Sequence, residues 1–159
     1  MTRYIGIDPG KTGAIAELHR GKAYVWRMPI VDGYVDLYAV AEILRRDGNT
    51  AHVMIENVGL RSKQAGVITM IRNWQTLLDA CIVARVPYDI VEPKTWQKGI
   101  VTTPKGYDAK KRRAEVMRQY CDYALDKWGK SLLIPKGCRV VQDGIAAALC
   151  IAEYNSEVN

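Results

Sequence analysis

Three acidic residues stand at the ends of apolar segments, where their carboxylates could act together. Asp8 ends the apolar run RYIGID, Glu56 ends the run AHVMIE, and Asp143 opens the last apolar segment, DGIAAALCIAEY. If the two runs are strands and the last segment is a helix, all three acids belong to one edge of a layered α/β domain, because strand ends and helix starts converge there. The sequence therefore predicts a cluster of three carboxylates.

Such a cluster favours metal-dependent chemistry. Three carboxylates held together repel one another strongly unless cations lie between them. Mg²⁺ and Mn²⁺ suit the arrangement because they prefer oxygen ligands and keep coordination positions for phosphate oxygens. Two such ions about 4 Å apart could activate water and stabilise the leaving oxygen of a phosphodiester. Asp8, Glu56 and Asp143 are therefore the candidate catalytic and metal-binding residues.

Simpler roles stay open for two of these acids. An aspartate at a helix start is most often an N-cap, so Asp143 could serve only to cap its helix. Glu56 could be a surface acid at a strand end. Asp8 is harder to explain in this way because a Pro-Gly turn follows it at once. The joint placement of the three favours the metal-binding interpretation.

The segment YIGIDPGKTG, residues 4–13, looks like a nucleotide-binding P-loop but lacks its spacing. A P-loop places four residues between its first glycine and the Gly-Lys-Ser/Thr, so that backbone N–H groups can surround a phosphate. Only three residues separate Gly6 from Gly10. One of them is Asp8, whose charge would repel a phosphate. We therefore expect no nucleotide cofactor.

The hydrophobic pattern predicts strands and helices in a single domain, residues 1–159. Apolar runs bounded by turn residues predict strands at 3–8, 13–19, 22–29, 51–57 and 88–93, the first three as a meander. Helical spacing predicts a helix capped by Asp36, a helix from Val67, and helices at 108–128 and 142–155. The segment KTWQKGI is predicted as a short helix or turn, and IPKGCRVV as irregular. The order βββαβαβ followed by helices indicates an α/β layered domain.

The composition indicates a globular protein, and its charge favours a polyanionic partner. The chain has 159 residues and a formal net charge of +6, and 48% of its residues are hydrophobic, which argues against disorder. Its four cysteines form no CxxC pair, so neither a zinc site nor a disulfide framework is expected. The first residues lack the pattern of a leader, and no apolar run is long enough to cross a membrane. We expect a cytoplasmic protein without a membrane partner.

Five segments resemble the successive sequence blocks of the RuvC-like Holliday-junction resolvases, especially their phage-type members. They follow the order of that family across nearly the whole chain and read IGIDPGKTGAIA, MP at 28–29, VMIENVG, PYDIVEPKTWQK and DGIAAALCIAEY. The resemblance implies an α/β, RNase H-like fold with a central mixed sheet, three antiparallel strands plus parallel strands, flanked by helices. It also implies that Asp8, Glu56 and Asp143 fall on three of the family's metal-binding acids.

The same resemblance implies an activity and its partners. It predicts a crossover junction endodeoxyribonuclease that acts in DNA recombination and repair. The enzyme would be a homodimer that binds four-way (Holliday) or branched DNA and cuts it by paired symmetrical nicks. Two Mg²⁺ or Mn²⁺ ions would be bound in each active site. The phage-type blocks further suggest a phage-encoded protein that works inside a bacterial host.

The last segment departs from the family pattern at one position. Members similar to this chain read Asp-Gly-x-Ala-Asp-Ala-Leu, whereas this chain reads DGIAAAL, with Ala147 in place of the fourth acid. Residues 143 and 147 lie one helical turn apart and would point at the same metal, but alanine cannot be a ligand. Either the protein functions with three acids and a water, or it is a variant inactivated to trap intact DNA. The otherwise complete site favours the second alternative.

Basic residues supply candidate contacts to DNA phosphates, which dominate nucleic-acid affinity. They lie in the loop after Glu56, after the fifth strand, and near the helix start at Asp108: Arg61, Lys63, Lys94, Lys98, Lys105, Lys110, Arg112 and Arg113. The resemblance implies that a lysine near this helix start assists catalysis, with Lys111 as the candidate and Lys110 as the alternative. The family's W-K-K reads WQK here, so the role of Lys98 stays open.

The segment GLRSKQAGVITMIRN corresponds to the loop and helix start that the family inserts into the junction centre. Ile68, Met70 or Ile71 could act as an apolar wedge between base steps, or could belong to the core or to a dimer contact. The apolar stripe from Val67 to Ile82 is the candidate dimer face. A symmetric dimer suits two cuts related by a two-fold axis.

Two other functions are compatible with parts of the sequence. The segment DPGKTG loosely imitates the D-x-G-x-T-G loop of actin-like ATPases, but those proteins need a duplicated domain for which this chain is too short. A non-cleaving protein that binds DNA junctions would fit Ala147. It predicts tight junction binding without cleavage even after the acid is restored. The sequence as a whole favours the endonuclease.

Overall fold

The computed structural model describes residues 1–48, 50–59, 66–103 and 105–159. Its strands are β1 (Arg3–Asp8), β2 (Ala14–His19), β3 (Lys22–Arg27), β4 (Ile30–Val31), β5 (Tyr34–Val35), β6 (Ala51–Glu56) and β7 (Tyr88–Val91). Its α-helices are α1 (Leu37–Arg45), α2 (Val67–Ala84), α3 (Pro93–Trp96), α4 (Ala109–Trp128), α5 (Lys130–Leu133) and α6 (Asp143–Val158). A 3₁₀ turn, Arg46–Gly48, precedes β6.

Five strands form the central sheet, in the order β3-β2-β1-β6-β7. The strands β1, β2 and β3 are an antiparallel meander, whereas β6 is parallel to both β1 and β7. This arrangement confirms the predicted mixed sheet flanked by helices. In the parallel pair, Ile7 lies opposite Ile55, so β1 and β6 end at the same edge of the sheet. We call this edge, which carries Asp8 and Glu56, the acid edge.

The two faces of the sheet bury side chains of different size. Large aliphatic residues such as Ile7 and Ile55 pack against α1 and α2 on one face. The opposite face carries small residues such as Ala14 under α6. A Cβ atom on Gly6 would lie only 2.3 Å from the carbonyl oxygen of Ala148. The backbone of α6 therefore rests directly on β1, and its path across the sheet is fixed.

Asn155 fixes the far end of α6. Its side-chain amide donates to the carbonyl oxygens of Ile5 at 3.0 Å and of His52 at 2.9 Å. These acceptors lie on the two central parallel strands, β1 and β6. Asn155 is fully buried, so these bonds satisfy polar groups that water does not reach. The first turn of α6 is thereby directed towards the acid edge.

Two elements were not predicted from the sequence. The short strands β4 and β5 form a hairpin, with Asp32 and Gly33 at φ values of 50° and 82° in its turn. The hairpin is held on α2 because the buried Asn73 accepts a hydrogen bond from the Val35 backbone N–H at 3.0 Å. The short helix α5 follows Gly129, which has a φ of 81° that favours glycine. Strands of two residues are too short to show a period of two.

The predicted apolar stripe on α2 is divided between the core and the surface. Leu77, Leu78 and Cys81 are buried, and Trp74 packs partly buried against them. Ile71 is exposed.

Within the described residues, no helix is both long and apolar enough to cross a membrane.

Candidate active site

The acid edge places Asp8 and Glu56 side by side. They are the last residues of adjacent parallel strands, one position beyond the paired Ile7 and Ile55. Because alternate residues of a strand share a face, Asp8 lies on the same face as Gly6. This is the face that α6 covers. Glu56, in register with Asp8, lies on that face as well.

Asp143 is brought to the same place by backbone contacts among glycines. A Cβ on Gly13 would lie 2.0 Å from the Asp8 carbonyl oxygen, and a Cβ on Gly144 would lie 2.3 Å from the Thr12 carbonyl oxygen. The loop after β1 therefore folds back over the end of its own strand, and the first turn of α6 packs against that loop. No larger residue than glycine fits either contact. The position of Asp143 relative to Asp8 follows directly from this packing.

Asp143 does not cap its helix. The N-cap position belongs to Gln142, whose side chain forms no capping hydrogen bond. Asp143 occupies the first helical position, and its side chain is exposed. The capping role that the sequence left open is therefore wrong, and the carboxylate is available for another contact. A helix N-terminus also stabilises a negative charge at this position.

The three acids share a negative environment. Burial raises the pKa of Asp8 well above its usual range, and the nearby charges of Glu56 and then Asp143 raise it further. Burial also raises the pKa of Glu56, a hydrogen bond from Trp96 lowers it, and Glu92 raises it. Burial is the largest cause for both acids, and the pKa of Asp8 is the one to which the other two acids of this edge contribute.

The pKa of Tyr120, on α4, is affected by the same three acids. Burial is the main cause that raises the pKa of its phenol, followed by Cys121 and then Asp143, Asp8 and Glu56. Its ring packs edge-to-face against Trp96, with the ring centroids 5.5 Å apart. The three acids therefore act together on a residue that none of the sequence patterns selected.

The donor set fits Mg²⁺ or Mn²⁺ in its chemistry and charge. All three groups are carboxylates, the ligands that these hard cations prefer. Among the described residues, however, no group of three or more His, Cys, Asp or Glu side chains lies close enough together to hold one ion. The acid edge thus concentrates the expected ligands without gathering three of them around one point.

Ala147 lies one helical turn after Asp143, inside the apolar layer under α6. Its side chain is 5% exposed, and it belongs to the same buried cluster as Ala14, the strand partner of Asp8. A carboxylate at position 147 would therefore enter a buried site beside the acid edge. The alanine itself supplies only packing.

The predicted DNA-binding residues lie on several surfaces. Lys94 is on α3, Lys105 precedes α4, and the basic run at the start of α4 is exposed throughout: Lys110, Lys111, Arg112 and Arg113. Lys98 is exposed beside a recess that Glu153 and Glu157 also line, an unfavourable surface for phosphate. Arg61 and Lys63 lie outside the described residues.

Lys111, the candidate catalytic lysine, lies in the exposed first turn of α4. Its backbone N–H donates to Asp108, the N-cap, at 2.8 Å. Its side chain borders an open recess with Tyr107 and Arg118. Neither Lys111 nor Lys110 forms an ion pair with an acid of the acid edge in the described structure.

The sequence did not single out two basic residues at the acid edge. Lys11 is exposed in the loop after β1, and its Nζ approaches Gly33 in the turn between β4 and β5. Arg27 ends β3, and its Nη2 donates to Gln142 Oε1 at 3.4 Å. The sequence signals that could have found them are the segment YIGIDPGKTG for Lys11 and the position at a strand end for Arg27. A search for clustered charges overlooks both.

Solved structures share this arrangement of strands and helices. Thermus thermophilus RuvC in complex with Holliday junction substrate matches with a TM-score of 0.57 and 18% sequence identity, covering 96% of this chain and 90% of that one. The chain has a RuvC-like fold. A second Thermus thermophilus RuvC structure matches with a TM-score of 0.50 and 18% identity, covering 94% of this chain and 90% of that one. The RuvC-like, RNase H-like architecture therefore extends over nearly the whole chain.

No protein-family model matches the sequence, and no curated protein sequence matches it.

Proposed function

We propose that this protein is a structure-selective, divalent-metal-dependent endonuclease that resolves four-way (Holliday) and branched DNA junctions by paired symmetrical nicks. The observation that carries the proposal is the placement of Asp8, Glu56 and Asp143 at one edge of a RuvC-like fold. A solved protein of the same fold is in complex with Holliday junction substrate. The net charge of +6 supports a nucleic-acid partner.

The acids of the acid edge would hold two Mg²⁺ or Mn²⁺ ions. When bound, such ions activate water and stabilise the leaving oxygen of a phosphodiester. Asp8 is partly buried, so its carboxylate attracts a cation more strongly than it would in open water. Gly10 has a φ of 122° and follows Pro9, so the turn after Asp8 carries no side chain at this position. A phosphate can approach the carboxylate there.

Exposed basic residues would hold the DNA backbone around this edge. The candidates are Lys94, Lys105, Lys110, Arg112 and Arg113, and Lys98 is the least favoured because Glu153 and Glu157 line the same recess. Arg61 and Lys63 follow Glu56 in the sequence and are candidates from the sequence alone, because they lie outside the described residues. Lys11 and Arg27 extend the positive surface to the acid edge. Lys111, or Lys110 beside it, would assist catalysis by placing a positive charge near the scissile phosphate.

Two active sites related by a two-fold axis require a homodimer, and α2 offers the apolar surface for one. Along this helix Ile68, Ile71, Ile82 and Val83 are all exposed. We expect the Ile82→Asp variant to sediment as a monomer and the wild type as a dimer. Met117→Asp, which changes an exposed apolar residue on α4, is the control and should leave the dimer intact. A monomeric wild type would contradict this part of the proposal.

The central test compares the wild type with Ala147→Asp on a labelled four-way junction in Mg²⁺. A linear duplex with the same arm sequences is the DNA control, and Asp8→Asn in the Ala147→Asp background is the protein control. We expect both forms to bind the junction in preference to the duplex. Paired symmetrical nicks should appear or increase with Ala147→Asp and disappear with Asp8→Asn. Equal affinity for junction and duplex would contradict the proposal.

A non-cleaving junction-binding protein is the second candidate, and Ala147 is the observation that favours it. The residue is buried and cannot bind a cation, so the acid edge has one ligand fewer than the resemblance implies. This function predicts junction-selective binding by both forms and nicks from neither. The same gels therefore separate the two candidates.

A further inference from the structure

Glu56 is held by two tryptophans that approach it from opposite faces of the sheet. The Trp96 indole N–H donates to the Glu56 carboxylate oxygen Oε2 at 2.7 Å. The Trp74 indole N–H donates to the backbone carbonyl oxygen of the same residue at 3.2 Å. Trp74 packs with the α1–α2 core, and Trp96 packs with the core under α6. Both the backbone and the side chain of this acid are therefore fixed.

Trp96 itself has little freedom to move. Its side chain is 2% exposed, and its ring packs edge-to-face on Tyr120. The helix that carries it begins after Glu92, whose carboxylate accepts a hydrogen bond from the side-chain amide of Asn57. Asn57 directly follows Glu56 in the chain, so the same backbone segment anchors both the acid and the helix of its tryptophan. The indole is thus a rigid donor.

The hydrogen bond distinguishes the two oxygens of the Glu56 carboxylate. An indole N–H can only donate, so Trp96 requires an acceptor in its buried position. Rotation of the carboxylate away from it would leave the N–H without a partner, which is costly in a buried site. Within the described part of the chain, Oε2 receives this bond and Oε1 receives none. Oε1 is therefore the oxygen left for an external ligand.

We propose that Trp96 is a positioning residue that presents Oε1 of Glu56 to a divalent cation. Trp74 supports it by fixing the backbone of Glu56. The inference rests on the proposed metal-dependent function. Groups that hydrogen-bond to metal ligands orient them, and their loss typically weakens metal affinity 10- to 100-fold. The segment PKTWQK thus contributes its tryptophan to the site in addition to its lysines.

The first experiment measures Mg²⁺ and Mn²⁺ binding by calorimetry without DNA. Trp96→Phe keeps a ring in the core but removes the donor, and we expect its dissociation constant for Mg²⁺ to rise about 10-fold or more. Trp74→Phe should show a smaller increase. Trp128→Phe is the matched control, because Trp128 also packs edge-to-face on a tyrosine but lies far along α4. Its metal affinity should equal that of the wild type. Unchanged affinity in Trp96→Phe would overturn the inference, whatever its melting temperature.

A second measurement uses the wild-type protein and does not depend on the stability of Trp96→Phe. The four tryptophans give four indole N–H signals in a nitrogen-15 NMR spectrum, and Phe variants of Trp26, Trp74 and Trp128 assign the remaining signal to Trp96. We expect Mg²⁺ to shift the Trp96 signal most and the Trp128 signal least. Metal binding without a shift of Trp96 would overturn the inference alone. No metal binding by the wild type, with or without junction DNA, would instead contradict the proposed function on which it rests.

Discussion

Glu17 is a fully buried acid on β2 and Asp8 is a partly buried acid on the neighbouring strand β1, and their surroundings differ in charge. Glu17 is fully buried, and both of its oxygens accept hydrogen bonds from arginines. Oε2 accepts from Arg3 at 3.0 and 2.7 Å, and Oε1 accepts from Arg46 at 2.9 Å. For Asp8, by contrast, every cause that acts on its pKa raises it. The charge of Glu17 is neutralised by arginines of the same chain, whereas the charge of Asp8 is not.

The difference separates a structural acid from a functional one. The guanidinium of Arg3 also donates to the carbonyl oxygens at the end of α1, so the Glu17 pair joins the sheet to that helix. The guanidinium of Arg46 lies over the Tyr24 ring, 4.4 Å from its centroid. Glu17 is therefore surrounded by permanent partners. Asp8 lies near two other acids, Glu56 and Asp143, and either a bound cation or protonation would relieve their repulsion.

The largest expected effect comes from breaking the pair at Glu17. Glu17→Gln keeps the shape of the side chain but leaves Arg3 buried without its counter-charge. We expect a loss of about 3 kcal/mol in the free energy of unfolding, measured by urea denaturation, because a buried ion pair that loses one partner is strongly destabilised. Glu115→Gln, which breaks an ion pair with the exposed Arg118, should leave the free energy of unfolding nearly unchanged, because water screens exposed ion pairs. If Glu17→Gln and Glu115→Gln lost similar free energy of unfolding, Glu17 would not be the structural acid that we describe.

Adding a charge to the acid edge should destabilise the protein less, and Mg²⁺ should reverse the change. Ala147→Asp places a carboxylate at a buried position beside Asp8. In EDTA we expect a loss of about 2 kcal/mol, measured by thermal or urea unfolding. In millimolar Mg²⁺ the variant should recover more stability than the wild type does. A variant that is equally unstable with and without Mg²⁺ would show that position 147 does not belong to the metal site.

Removing a charge from the acid edge should have the smallest effect and the opposite sign. In EDTA at neutral pH, we expect Asp8→Asn to be more stable than the wild type by about 1 kcal/mol, because it relieves the repulsion at this site. The raised pKa of Asp8 means that the folded wild type binds a proton more readily than the unfolded chain does. Stability of the wild type therefore rises as pH falls through that pKa, and the advantage of Asp8→Asn disappears there. An advantage that persists at low pH would indicate another cause.

The sequence predicted the positions of the acids well because each one depends on a local signal. Asp8 and Glu56 end strands whose apolar runs are easy to see, and Asp36 and Asp108 cap α1 and α4 as predicted. The order of these elements indicated a layered α/β domain, and the resemblance to the RuvC-like resolvases implied its mixed sheet. Their convergence at one edge required only the general rule for layered domains.

Contacts between distant segments were not predictable in the same way. Trp96 and Glu56 are 40 residues apart, and their hydrogen bond depends on how α3 packs against β6. The sequence pattern identified the lysines on either side of this tryptophan, because charged residues can be recognised from the sequence without knowledge of the fold. Lys98 shows what charge alone leaves out, since its surroundings in the fold include Glu153 and Glu157.

The backbone contacts of Gly13 and Gly144 determine where the Asp143 carboxylate lies, whatever side chain stands at position 143. Gly13 and Gly144 leave no room for a Cβ, whereas the side chain of Asp143 projects into solvent. Under random mutagenesis, exchanges at Asp143 should therefore yield folded proteins with altered chemistry, and exchanges at Gly144 should yield proteins whose acids are displaced. New activities in this scaffold would accordingly arise by replacing acids one at a time on an unchanged glycine framework.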